Sequence, residues 1–197
     1  MNLKILTLSL LIPACSSVNN LSNAKTLAKD EHQTLLGVSL VGQSDPENIG
    51  PALDVVHRYG FSDSDEGVLK ASNTLTAYSA NYKKALISGP SFYLATGLGI
   101  GYSQYLRREA DHPIDTYEFS VPLYLEKILT EELSMLMGLR LAHTQVSQGV
   151  LPNFQTVMMT AGTRAGKKSG LHFELGYGKT AEADVPNLWQ LSTGLFF

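Results

Sequence analysis

From residue 34 to its end the chain alternates large apolar side chains with small or polar ones, in runs broken by Gly, Pro, Asn, Asp and Ser. A period of two is the mark of strands with two different faces. The clearest run sets Tyr117, Phe119, Val121, Leu123 and Leu125 against Glu118, Ser120, Pro122, Tyr124 and Glu126. In a second run, Phe92, Leu94, Leu98, Ile100 and Tyr102 alternate with small residues that include Ala95, Gly97, Gly99, Gly101 and Ser103. Met135, Met137, Leu139 and Leu141 oppose Ser134, Gly138, Arg140 and Ala142, with Leu136 as the exception. Leu171, Phe173, Leu175 and Tyr177 stand opposite His172, Glu174, Gly176 and Gly178. Weaker runs cover residues 53–61, 74–84 and 154–163. Each has roughly the length a tilted strand needs to cross a bilayer.

The last run places Trp189, Leu191, Thr193, Leu195 and Phe197 on one face and ends the chain on an aromatic. It resembles the β-signal of bacterial outer-membrane proteins, which implies handling by the barrel-assembly machinery through the strand ending in Phe197. In a soluble sheet such a strand would be a sticky edge, whereas a closed barrel pairs it with the first strand. The expected fold is all-β: an antiparallel up-and-down transmembrane β-barrel of about eight strands over residues 52–197, in the cell outer membrane. With the first strand at 53–61, short turns fall near 88–91, 127–132 and 166–170. Longer, outward loops fall near 62–71, 106–115, 144–152 and 181–186. Residues 34–43 also alternate, through Leu36, Val38 and Leu40. They make a ninth candidate, which an even strand count rejects. Residues 25–51 are therefore either a periplasmic N-terminal segment or the true first strand, with a weak later strand misread.

Length and charge narrow the picture. The 197 residues suit a single domain. A net charge of −3 gives nucleic-acid phosphates no general attraction, so nucleic acid is excluded as a partner. A mean hydropathy of −0.01 rules out a bundle of transmembrane helices. At the start, Lys4 precedes an apolar run over residues 5–12, shaped like a signal peptide. The stretch Ile12-Pro13-Ala14-Cys15-Ser16-Ser17 resembles the lipobox of bacterial lipoproteins, which implies lipidation of Cys15. A competing cut lies before Lys25, with Ser22 and Ala24 in the small-residue positions. Residues 1–24 are thus leader or lipoprotein tether. Cys15 is the only cysteine, so no internal disulfide can form.

On the polar faces, Glu118, Glu126, Arg140, His172 and Glu174 are expected to meet in a narrow lumen. Charges packed there must pair or take up protons, forming either a salt-bridged plug or a narrow channel. The glycines of Gly97-Leu98-Gly99-Ile100-Gly101 alternate within a strand with no following helix start, so they are no phosphate loop. Glu109, Asp111, His112 and Asp115, like Asp63, Asp65 and Glu66, read as solvated loop charge. No metal and no cofactor is expected.

His143 continues the lipid-facing series of Leu139 and Leu141 to the membrane boundary. The stretch Gly138-Leu139-Arg140-Leu141-Ala142-His143, with Pro152-Asn153 beyond it, resembles the strand-loop segment of the outer-membrane lipid A 3-O-deacylases. The preceding strand with Gly97 and Gly99 is similar as well. The resemblance implies ester hydrolysis by a His–Ser pair with a supporting acid on the outer wall, the imidazole taking the serine proton. Gln145 stands where the family has its serine, and Val157 near the place of its acid. Ser147 shares a face with His143 and is the alternative nucleophile. The expected role is structural, surface-interacting or lipid-contacting, with outer-membrane lipid, including lipopolysaccharide, as the partner. A lipid A or phospholipid ester hydrolase and a narrow channel are the alternatives.

Overall fold

The computed structural model describes residues 21–43, 49–73, 77–105, 114–147, 153–182 and 187–197. They form ten strands: β1 (His32–Gln43), β2 (Ile49–Gly60), β3 (Asp65–Ser72), β4 (Ala77–Ser88), β5 (Phe92–Tyr105), β6 (Ile114–Ile128), β7 (Leu133–Val146), β8 (Phe154–Ala165), β9 (Gly170–Thr180) and β10 (Leu188–Phe196). Each strand pairs antiparallel with its neighbours in sequence, and β10 pairs with β1 to close the barrel. At the seam Leu36 lies opposite Leu195 and Gly42 opposite Trp189. Phe197 and Thr34 exchange backbone hydrogen bonds of 2.9 Å in both directions. Gly42 is required there: a Cβ on it would sit 2.3 Å from the Trp189 ring.

The count corrects the expectation of about eight strands, and the two additions explain each other. Residues 34–43 belong to β1. Residues 62–71, expected as an outer loop, instead hold a tight turn followed by β3. That strand escapes the alternation test because it is only eight residues long and carries Glu66 and Lys70 on its inner face. Restoring it makes the parity even with β1 included, and it turns the 61–64 connection to the same end as the short turns after β4, β6 and β8.

The strands sort their side chains as the alternation dictates, apart from an irregularity in β4 where Leu86 and Ile87 are both exposed. Leu98 is 65% exposed and Phe119 56%, and Leu171, Phe173, Leu175 and Leu195 are exposed in the same way. The intervening Glu118, Glu126, Arg140, His172 and Glu174 are buried, as is the exceptional Leu136. An apolar surface of this extent has no place in water. A closed, even-stranded antiparallel barrel with an apolar exterior satisfies every strand's backbone within hydrocarbon, and it is the outer-membrane type of barrel. The end that holds both barrel termini and the short turns is its periplasmic end.

Candidate functional site

The barrel interior is the most elaborate chemical environment among the described residues, and cross-strand register builds it. On the periplasmic side Glu66 of β3 lies opposite Lys83 of β4, and Arg58 of β2 is a diagonal neighbour. The Arg58 fork donates from Nε and Nη2 to the two Glu66 carboxylate oxygens, each at 2.7 Å. Its Nη1 donates to Gln33 at 2.7 Å. Lys83 Nζ is 2.9 Å from Glu66 Oε1, and both side chains are fully buried. Burying such charges is tolerable only when every one is answered, and here the bidentate guanidinium and the ammonium share one carboxylate.

The lumen also holds a piece of the chain itself. Residues 21–24, which the sequence marks only as leader or tether, are buried inside the barrel, and residues 25–27 occupy its periplasmic mouth. The backbone N–H of Leu21 donates to Glu174 at 3.0 Å, that of Lys25 to Glu126 at 3.0 Å, and that of Leu27 to Glu66 at 2.9 Å. In the opposite sense Lys83 donates to the Asn23 carbonyl and Arg58 to the Lys25 carbonyl, both at 2.8 Å. Leu21 packs with Leu35, Val56, Val68 and Phe196. Ala24 packs with Ala95 and Tyr124. At the mouth the chain passes so close to β2 that a Cβ on Gly60 would lie 2.1 Å from the Ala28 carbonyl oxygen. The carboxylates and cations thus grip an extended peptide through its backbone.

The five lumen residues expected from sequence are all buried on the inner face. Arg140 and Glu118 pair at 3.7 Å. His172 and Glu174 pair at 3.0 Å on β9. Glu126 receives the Lys25 N–H. With ten strands the circumference is larger than an eight-stranded barrel would have, which leaves room for the peptide beside these groups. Between them Lys70 reaches Asp54 at 3.5 Å, and Asp54 accepts from Ser39. A cavity of about 40 Å³ lies above the peptide, lined by Lys70, Glu118, Tyr124 and Arg140 among others. Sequence reasoning missed Asp54, Arg58, Glu66, Lys70 and Lys83. The available signal was phase: with Leu53, Val55 and Leu69 facing out, Asp54, Arg58, Glu66 and Lys70 must face in.

On the outer wall His143 is exposed and faces away from the lumen, opposite Phe119 on one side and Gln155 on the other. Val157 is opposite Leu141. Ser147 lies just beyond β7, and its Oγ is buried without a hydrogen-bond partner among the described residues. The imidazole and this hydroxyl are therefore not hydrogen-bonded to each other. Asp115 accepts hydrogen bonds from Tyr102 and Gln104. Asp65 accepts from Ser62, Ser64 and Tyr82. Cys15, Glu109, Asp111 and His112 lie outside the described residues.

No family model matches the chain, and no curated protein matches it. Solved structures of similar fold include the KdgM porin, with a TM-score of 0.41 at 7% identity over 81% of this chain and 97% of that one. Ail, the attachment invasion locus protein of Yersinia pestis, is similar with a TM-score of 0.35 at 14% identity, over 87% of this chain and 100% of that one. A loop-deletion mutant of OmpT, an outer membrane protein of Vibrio cholerae, is similar with a TM-score of 0.34 at 9% identity, over 85% of this chain and 98% of that one.

Proposed function

We propose that this barrel is a sealed outer-membrane protein whose work is done on its surfaces, by contact with membrane lipid and by presentation of its outer loops, and that it does not conduct solutes. The observation that carries this reading is the filled lumen: residues 21–24 occupy it, tied to the wall through Glu174 and Lys83, and residues 25 and 27 at the mouth are tied through Glu126, Arg58 and Glu66. A conducting pore needs a continuous water column, and the peptide interrupts one. The charged wall serves to hold the peptide and set the strand register.

Planar-bilayer recording tests this. Wild-type protein is expected to give no steps. A variant carrying Glu66→Gln, Glu126→Gln and Glu174→Gln, which weakens all three backbone anchors, is expected to flicker open. Steady conductance of the wild type would overturn the reading in favour of the channel. The ester-hydrolase alternative places catalysis at His143. It predicts a change in lipid A acylation on expression, which mass spectrometry of extracted lipid A reads directly.

A further inference from the structure

The outer wall is not a uniform cylinder. Along one cross-strand row, Tyr59 of β2 is followed by Gly67 of β3, Tyr82 of β4 and Leu98 of β5. Along the adjacent row come His57, Leu69, Ala80, Ile100 and Phe119. Gly67 lets the Phe61 ring lie over it, where a Cβ would come within 2.9 Å of that ring, and Ala80 contributes little side chain to the exterior, so the wall is depressed at Ala80 and stands proud on both flanks. The result is a groove of about 790 Å³ running from β2 to β6. Tyr59 and Phe61 form one bank, packed edge to face at 5.2 Å between ring centroids. Leu98, Ile100, Phe119 and Val121 form the other.

The groove also climbs through the membrane. Tyr59, one residue from the periplasmic end of β2, and Leu98 of β5 share one cross-strand row three strand spacings apart, about 14 Å across the strands, which at a tilt near 40° is about 9 Å of depth. Ile100, two residues further along β5, adds about 5 Å, for about 14 Å in all. Half of a hydrocarbon core is about 15 Å. The groove therefore spans one leaflet, with its open end at the periplasmic rim. The two phenols on its flank point their hydroxyls to that rim, Tyr59 donating to Asp30 at 2.9 Å and Tyr82 donating to Asp65. Their rings are left to line the groove, and its interior asks for no polar partner.

We propose that this groove is a binding site for one acyl chain of a phospholipid in the periplasmic leaflet. The occupant follows from continuity: the groove is an indentation in a wall that already faces hydrocarbon, it is as long as one leaflet is deep, and it opens where phospholipid headgroups lie. The inference deepens the lipid-contacting reading and rests on its lipid-facing wall. Its failure leaves the sealed lumen untouched, because conductance reports on that separately.

The test is native mass spectrometry of the full barrel released from membranes in mild detergent. Wild-type protein is expected to retain one phospholipid. Ala80→Phe fills the floor of the groove and is expected to lower the retained fraction about tenfold, as lost shape complementarity in an apolar site does. Leu175→Phe, on the far wall, is expected to leave retention unchanged. Ala80→Leu gives an intermediate fill if the larger side chain prevents the heat-modifiable folded form. Equal retention in all variants, retention of lipid A in place of phospholipid, or a lipid-free pair of barrels that Ala80→Phe dissociates would each overturn the assignment.

Discussion

Glu174 and Leu175 are neighbours in sequence and belong to different solvents. Glu174 is 2% exposed and answers both a histidine ring and a backbone N–H. Leu175 is 52% exposed and is expected to meet only acyl tails. The difference repeats around the barrel. The inner face is held largely by directional contacts between specific groups, so its failures are local and large. The outer face is held by a non-directional preference for hydrocarbon, so its apolar side chains can be exchanged at little cost while a charge cannot be admitted. The groove over Ala80 is the exception, a part of the exterior where shape matters as it does inside.

The largest effect should come from Glu66→Ala. It leaves Arg58 and Lys83 buried without their shared carboxylate, and loss of one partner of a buried pair costs about 3–5 kcal/mol. Urea unfolding of the protein in lipid vesicles should show that shift. Leu141→Ala on the outer face of β7, away from the groove, is expected to move the same curve by less than about 1 kcal/mol, since lipid fills the space it leaves. Equal costs at the two positions would erase the distinction between the faces.

Next in size is Leu175→Arg near the middle of β9, which puts a charge into hydrocarbon and should destabilise by about 2–4 kcal/mol. Its inward neighbour sharpens the comparison. Glu174→Gln keeps the shape and one acceptor, weakening its contacts with His172 and Leu21, and should cost about 1–3 kcal/mol in the same assay. Smaller again is Trp189→Ala at the seam. It removes the ring that covers Gly42 and should cost about 1 kcal/mol, the scale of a good cross-strand pair. His143→Ala should change neither the unfolding midpoint nor the acylation of lipid A. An acyl chain whose removal depends on His143 would restore the hydrolase reading.

How far the residues themselves announced this arrangement varied with how local the information was. The alternation of Tyr117 to Leu125 and of Leu171 to Tyr177 states the two faces outright, because neighbouring side chains in a strand point oppositely whatever lies around them. β3 was hidden because Val68 and Leu69 are adjacent apolar residues in a short charged stretch, and losing it made the correct β1 look surplus. The inward direction of Glu118, Arg140 and Glu174 was legible from phase. Their partners were not, because which lumen residues meet depends on the stagger of all ten strands. Burial of residues 21–24 had no signal at all: Ser22, Asn23 and Ala24 carry no period, and the lumen that receives them is assembled from distant strands. The groove was equally silent, since Ala80 and the Phe61 ring over Gly67 come beside each other only through the β3–β4 register.

The central claim is a cylinder that faces lipid outside and is closed inside by its own chain. Spin labels on single cysteines, placed in a Cys15→Ser background at Leu98 and at Ala24, test it most directly in reconstituted vesicles. The account predicts that the label at Leu98 collides freely with lipid-soluble oxygen and is shielded from a water-soluble nickel relaxant, while the label at Ala24 is immobile and shielded from both. A label at Ala24 that is mobile and open to the nickel reagent would contradict it.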